Sequence, residues 1–275
     1  MVGGILLAAA VGAPVLFGLT MFAKAYGRTV TEEEVRLDRL PAAFDGFRLL
    51  FITDLHRRRL PAGLIGRFKG SVDAVLLGGD LTERGSPLPR LKDNLELLAS
   101  VAPVYAVHGN HDYYADTEAV DRLLADSGCR LLLDENAALR KGDDTLWLTG
   151  VDYPRRGGKT RYDALPPIPQ GEESCRIILV HDPIWLSQRV TVPAELVLAG
   201  HTHGGQVLLP LIGGKKIESF YTRYRAGWYK WPKGGHLEGD ADVFISCGFG
   251  TAHLPLRWGS RAELHVVTLR RSVGK

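Results

Sequence analysis

Five short apolar runs in this chain each end in a residue type that binds metal ions. Phe47–Thr53 leads into Asp54-Leu-His56, and Ala74–Leu77 into Gly78-Gly79-Asp80. Val104–Val107 precedes Gly109-Asn110-His111-Asp112 after one intervening histidine. Ile177–Val180 ends in His181, and Leu196–Ala199 runs into Gly200-His201-Thr202-His203. Runs of four to seven apolar residues bounded by Gly and Asp read as buried strands. In open α/β sheets, polar residues beyond the carboxyl ends of parallel strands gather on one rim. Side chains at i and i+2 of an extended segment share a face, so Asp54 with His56, and His201 with His203, can converge. A lone Asp-x-His is commonly a turn. Five such endings in order, each behind a strand, point instead to one site.

The remaining organisation supports an α/β domain. Leu88–Ser100 and Thr117–Ser127 have helical spacing, with Leu91, Leu95 and Leu98 on one face. Leu131–Leu133, Ala137–Arg140 and Leu146–Gly150 read as a meander of short strands, and two more strands are expected near Val243–Ser246 and Arg261–Thr268. Gly157–Gly171 reads as a surface loop. Apolar residues make up 45% of the chain and charged residues 24%, which excludes a disordered tail as the main product. The net charge of +3 is too small to argue for nucleic acid. Cys129, Cys175 and Cys247 lack CxxC spacing and read as unpaired core thiols.

The first residues depart from this pattern. Val2–Ala23 contains no charged residue and is long enough to cross a hydrocarbon core about 30 Å thick. The expectation is a membrane anchor or cleaved signal segment over residues 1–25, a connector over 26–46 and a catalytic domain over 47–271, with a first strand or turn within the polar residues 24–45. Lys24 and Arg28 follow the apolar run, so a single-pass protein with a cytoplasmic domain is expected, export being the alternative.

Histidine, Asp and Asn without thiolate suit Mn, Fe or Zn, and paired divalent ions are the usual device for phosphoester cleavage. Asp80 is the natural carboxylate to bridge two ions. In this order, DxH, GD, GNHD, a single His and GHxH resemble the calcineurin-like metallophosphoesterase family, from about Phe47 to Leu269. Gly200–Gln206 and the tail Gly248-Phe-Gly-Thr251 … Leu254-Pro-Leu-Arg257 are similar to a membrane-associated bacterial branch that includes a UDP-2,3-diacylglucosamine pyrophosphatase. The resemblance implies a four-layer α/β/β/α sandwich. It implies one metal on Asp54, His56, Asp80 and His203, and another on Asp80, Asn110, His181 and His201. His111 would act on the phosphate, as proton donor to the leaving oxygen or as stabiliser of charge, with Asp112 orienting it. A metal-bound hydroxide would attack phosphorus in an anionic phosphodiester or pyrophosphate, lipid-linked in one reading and soluble in the other. A catalytically silent binding module predicts lost ligands, and none is lost.

Several residues fall outside that scheme. Arg57-Arg58-Arg59 stands where smaller residues are expected, with substrate and membrane as the open readings. Tyr221, Tyr224, Trp228, Tyr229 and Trp231 crowd one basic stretch, as a packed loop or as a wall of the substrate site. His108 reads as a strand residue. His236, His253 and His265 lack motif context, and His253 lies near the expected mouth of the site.

Overall fold

The computed structural model describes residues 2–154, 161–169, 174–187, 192–208, 219–231, 237–238 and 240–272; of residues 2–11, 219, 237 and 238 only the backbone is described. The chain opens with α1 (Val2–Ala25), then β1 (Thr29–Leu37), β2 (Arg48–Ile52), α2 (Ala62–Ile65) and β3 (Ala74–Gly78). Next come α3 (Leu88–Ala99), β4 (Val104–Val107), α4 (Asn110–Tyr114), α5 (Thr117–Asp126) and β5 (Arg130–Leu131). The hairpin β6 (Glu135–Lys141) and β7 (Asp144–Val151) leads to β8 (Arg176–Val180), β9 (Val192–Pro193) and β10 (Leu196–Ala199). The last elements are α6 (Ser219–Arg223), β11 (Gly227–Trp231), β12 (Leu237–Glu238), β13 (Ala241–Ile245) and β14 (Glu263–Arg271).

Two six-stranded sheets carry the domain, ordered β1-β14-β2-β3-β4-β5 and β11-β13-β10-β8-β7-β6. Alternation along the strands explains the layers. Leu49, Phe51, Ala74 and Leu76 of the first sheet meet Ile177, Leu179, Leu196 and Leu198 of the second in one buried core. Their neighbours Leu50, Ile52, Val75 and Leu77 point the other way and bury Leu91, Leu95 and Leu98 of α3 with Val120 and Leu124 of α5. On the far face of the second sheet, Ile178, Val180 and Val197 are covered by Trp185, Leu186, Phe220 and Tyr224. Both outer faces are therefore closed, which is why these strands read as continuous apolar runs rather than alternating ones. The architecture is the mixed α/β sandwich expected. Among the described residues, the cover of the second sheet is built from short helical segments, Pro183–Ser187 and α6.

The membrane reading of the N-terminal region changes. Among the described residues no helix is long and apolar enough to cross a membrane. This corrects the expectation of an N-terminal transmembrane helix and of a single-pass membrane protein with a cytoplasmic domain. The end of α1 docks on the domain instead. Met21 and Ala25 are buried, the Phe17 ring packs edge-on against Trp258 at 4.6 Å, and the Arg257 amide donates to the Met21 carbonyl at 3.1 Å. Within the polar residues 24–45, where a first strand or turn is expected, β1 pairs in parallel with β14 from Thr29↔Glu263 to Leu37↔Arg271. The expected meander divides between the sheets: β5 joins β4, while β6 and β7 join the second sheet. The three cysteines are free and buried. His236 and part of the loop expected over Gly157–Gly171 lie outside the described residues.

Candidate metal centre

The site sits where parallel strands of both sheets end. β2, β3 and β4 deliver Asp54, His56, Asp80 and Asn110 from the first sheet, and β8 and β10 deliver His181, His201 and His203 from the second. The chain bends sharply as it leaves each strand. Asp54, His56, Asp80, His201 and His203 all have positive φ, between 49° and 68°, which L-residues adopt at a cost of about 1–3 kcal/mol each. Only three other non-glycine residues among the described ones do so. Strain concentrated in this way must be held by the surroundings. Amides hold part of it: Asp54 N–H donates to the Gly79 carbonyl and His56 N–H to the Asp80 carbonyl, both at 3.0 Å. The packing admits nothing larger than glycine at position 109, where a Cβ would stand 2.2 Å from Asp80 Oδ1.

Asp54, His56, Asp80 and His203 are buried together with their ligand atoms within 4.8 Å of one another. His56 Nε2 lies 3.1 Å from His203 Nε2 and 3.6 Å from Asp80 Oδ2, and His203 Nε2 lies 3.4 Å from Asp54 Oδ1. A second set adjoins it. Asn110 Oδ1 is 3.2 Å from His181 Nε2 and 3.1 Å from His201 Nδ1, and these two nitrogens are 3.2 Å apart. Asp80 belongs to both sets, since Oδ2 also approaches His181 Nε2 at 3.3 Å while Oδ1 accepts the His111 amide at 2.7 Å.

The imidazoles are oriented from behind. His181 Nδ1–H donates to the Gly78 carbonyl at 2.8 Å, which leaves Nε2 to face the centre. His56 Nδ1 lies at ion-pair distance, 3.1 Å, from Glu83 Oε2, although the two are not aligned as a hydrogen bond. His201 Nε2 lies 3.5 Å from Asp182 Oδ2, and Asp182 in turn accepts from the Tyr221 hydroxyl at 2.9 Å. Carboxylates and carbonyls behind metal-binding histidines fix the ring and raise its basicity. Glu83 and Asp182 were not singled out as site residues from the sequence, and Tyr221 only as one of the aromatic residues that could wall the substrate site. Glu83 follows Asp80 by three positions and Asp182 directly follows His181, so the requirement for a partner behind each imidazole is the signal that finds them.

The electrostatics ask for positive charge. Burial alone would lower His181, but Asp80 beside it lifts it to about 10. Burial opposes protonation of His56 too, and Glu83 and Asp80 overcome it. Asp80 is held far below the usual carboxylate range, His181 outweighing burial. Burial instead drives His203 down to about 3, and its Nδ1 has no hydrogen-bond partner among the described residues. Facing nitrogens at 3.1–3.2 Å, carboxylates between them and orphaned ring atoms fit cations better than protons. The donor set of N and O without thiolate fits divalent ions.

The residues expected to act on phosphate lie at the edge. The half-buried His111 ring stands edge-on to His56 at 4.8 Å, and burial lowers its pKa. Asp112 acts through the backbone. It accepts from Gly109 N–H at 2.9 Å and Thr82 N–H at 3.0 Å, tying the loop of His111 to the loop of Asp80, and burial with Asp80 nearby raises it to about 6. The three arginines also find places. Arg57 is paired with Glu83, and Arg59 with Asp93 at 2.7 Å. Arg58 donates to the carbonyls of Ala25, Gly27 and Phe249 and lies 3.9 Å over the Phe249 ring. His108 is a buried strand-end residue 2.9 Å from Asp121. The aromatic stretch divides: Tyr221 borders His201 at 5.7 Å, Tyr224 and Trp231 pack with the outer core, and Trp228 donates to Glu33 at 2.8 Å.

The calcineurin-like phosphoesterase profile matches residues 47–205, more than half the chain and every one of these loops. The chain belongs to this family. The metallophosphoesterase YkoQ of Bacillus subtilis (strain 168) is 30% identical over 240 residues, covering 82% of this chain and 84% of its own length. The phosphodiesterase YaeI of Escherichia coli (strain K12) is 29% identical over 234 residues, covering 81% and 82%. YpbG of B. subtilis is 27% identical over 253 residues, covering 90% of each. This calcineurin-like phosphoesterase is therefore a metal-dependent hydrolase of phosphoester bonds, with divalent ions as its cofactors.

Proposed function

We propose that this phosphoesterase holds two divalent ions, of the Mn, Fe or Zn class, and cleaves phosphodiester or pyrophosphate bonds. The observation that carries the reading is the position of Asp80 Oδ2 between His56 Nε2, at 3.6 Å, and His181 Nε2, at 3.3 Å. One carboxylate thereby serves both donor sets. Asp54, His56, Asp80 and His203 would hold one ion, and Asp80, Asn110, His181 and His201 the other. Bound there, the pair would neutralise phosphate oxygens and make a nucleophile available from water near neutral pH.

The protein's own groups do the rest. Asn110 and the histidines place the reacting phosphorus beside the half-buried His111, which offers an N–H to a phosphoryl or leaving oxygen. Asp112 keeps the His111 loop in register with Asp80 by gripping the amides of Gly109 and Thr82. Burial of the ligand loops, with Asp54, His56 and Asp80 at most 2% exposed, limits water to the open edge of the site.

The test compares two variants by metal analysis and kinetics. Asp80→Asn should lose metal and activity together. His111→Ala should keep its metal and lose roughly 10²–10⁴-fold in kcat, the contribution of a positioned proton donor. Equal metal loss in both variants contradicts the division of roles. Wild type should be run on p-nitrophenyl diesters, p-nitrophenyl phosphate and UDP-2,3-diacylglucosamine, which separates soluble from lipid-linked substrates.

A further inference from the structure

His253 is held in a way that a surface loop does not require. Its φ is +57°, and Leu254 N–H donates back to the Ala252 carbonyl at 2.7 Å across it. That is a γ-turn of the rare, strained hand. One side chain clamps it from both sides. Gln206 Nε2 donates to the carbonyls of Ala252 and Leu254 at 3.1 Å, and its Oε1 accepts the Ala252 amide at 3.0 Å. Gln206 itself sits at φ +41° directly after the His201–His203 loop. The loop that carries two proposed ligands therefore also aims the imidazole of His253. The ring comes 5.8 Å from that of His111.

A cleft opens beside it. About 210 Å³ is enclosed by Tyr26, Arg57, Glu83, Thr251, His253 and Pro255. This is smaller than a pocket for a whole drug-sized ligand, and suits one ring or sugar-sized group. Its polar groups are largely committed: Arg57 is paired with Glu83, and Glu83 approaches His56. The exposed His253 makes no side-chain hydrogen bond among the described residues and lines the cleft together with Tyr26 from the other end of the chain.

We infer that His253 is a specificity-determining residue: the cleft between it and Tyr26 receives the second organic arm that distinguishes a phosphodiester from a monoester. The inference rests on the phosphoesterase reading above. A monoester has one arm, which must lie opposite the attacking oxygen. A diester has another that must find room, and this cleft shares His253 with the neighbourhood of His111 and Glu83 with that of His56.

The experiment measures kcat/KM for bis(p-nitrophenyl) phosphate and for p-nitrophenyl phosphate in the metal-loaded full chain, wild type against His253→Gly. Glycine tolerates the positive φ, so the turn survives while the ring is lost. The diester-to-monoester ratio should fall about tenfold, the scale on which a pocket discriminates by one contact group. Tyr26→Ala should move the ratio the same way, and it carries the test alone if His253→Gly fails to fold. His253→Asn, which tolerates this backbone and can still hydrogen-bond, should restore part of the ratio. A ratio unchanged in both variants overturns the inference, as does a parallel fall on both esters, which would place His253 at the phosphoryl centre. Wild type lacking metal-dependent hydrolysis of either ester would instead sink the reading on which it rests.

Discussion

At the scale of single residues, the seven histidines whose side chains are described outside position 253 fall into distinct electrostatic settings. Four serve the proposed ligand sets, His111 stands beside them, and His108 and His265 are buried elsewhere. His265 shows what burial does without a carboxylate in hydrogen-bond range. Its Nδ1 is 2.7 Å from Thr31 Oγ1 and its Nε2 is 2.7 Å from Ser246 Oγ, and burial lowers it to about 3. The folded protein therefore binds this proton more weakly than the unfolded chain, whose histidine titrates near 6.5. Above pH 6.5 neither state is protonated and the stability is intact. Between 6.5 and 3 only the unfolded state takes the proton, so stability falls as pH falls, by up to about 1.4 kcal/mol per pH unit. Urea unfolding of wild type and His265→Gln across pH 7 to 4 should show the variant with the shallower slope. Identical slopes would mean that His265 takes up its proton alike in the folded and unfolded chain.

At the scale of elements, the loop after β13 is held by one buried cation. Arg257 is fully buried and donates to the carbonyls of His203, Cys247, Gly248, Gly250 and Arg261 and to Ser260 Oγ, at 2.5–3.3 Å. Its own amide holds α1 through Met21. Replacing it leaves several buried carbonyls without a donor at about 1–3 kcal/mol each. Arg257→Ala should thus cost at least about 3 kcal/mol, read from the denaturation midpoint, and Arg257→Lys should recover only part because lysine lacks the planar fork. A loss below about 1 kcal/mol would show that water replaces the guanidinium. The same loop marks how far the sequence could be read. The proposed ligands stood out because each follows an apolar strand in a compact motif. The helical spacing over Leu88–Ser100 and Thr117–Ser127 matches α3 and α5 to within a residue, while the Asp116 side chain that caps α5 by accepting the Ala119 amide comes from the structure. What stayed hidden depends on partners far along the chain. Arg257 reaches His203 across 54 positions and Arg58 reaches Phe249 across 191, and no local spacing encodes either. β1 was legible only as a strand or turn within a polar connector. Glu32, Glu33 and Glu34 give this edge strand a polar character, and its parallel register with β14 comes from the structure. The apolar start of α1 follows the membrane pattern in composition, whereas docking of Met21 and Ala25 is a tertiary fact.

At the scale of the whole molecule, the proposed site joins the two sheets. Asp54, His56, Asp80 and Asn110 leave the first, and His181, His201 and His203 leave the second. The inter-sheet core already binds the layers through Leu49, Phe51, Ile177 and Leu198, so the fold does not depend on metal for its existence. The rim is different. There, like-facing nitrogens and buried carboxylates crowd within 4.8 Å, and the strained backbone of five proposed ligand residues must be held against relaxation. Ions that bind only the folded state add RT ln(1 + [L]/Kd), about 2.7 kcal/mol at a free concentration of 100 Kd. For a domain of this size each kcal/mol moves the melting temperature by roughly 2–4 °C. Chelation with EDTA should therefore abolish activity and lower the melting temperature by roughly 5–10 °C, without loss of secondary structure at 25 °C by circular dichroism. Adding back Mn²⁺ or Zn²⁺ should restore both together, and Asp80→Asn should melt at the same temperature with and without EDTA. If chelation removed activity but left the wild-type melting temperature unchanged, the ions would bind too weakly at the working concentration to stabilise the folded state.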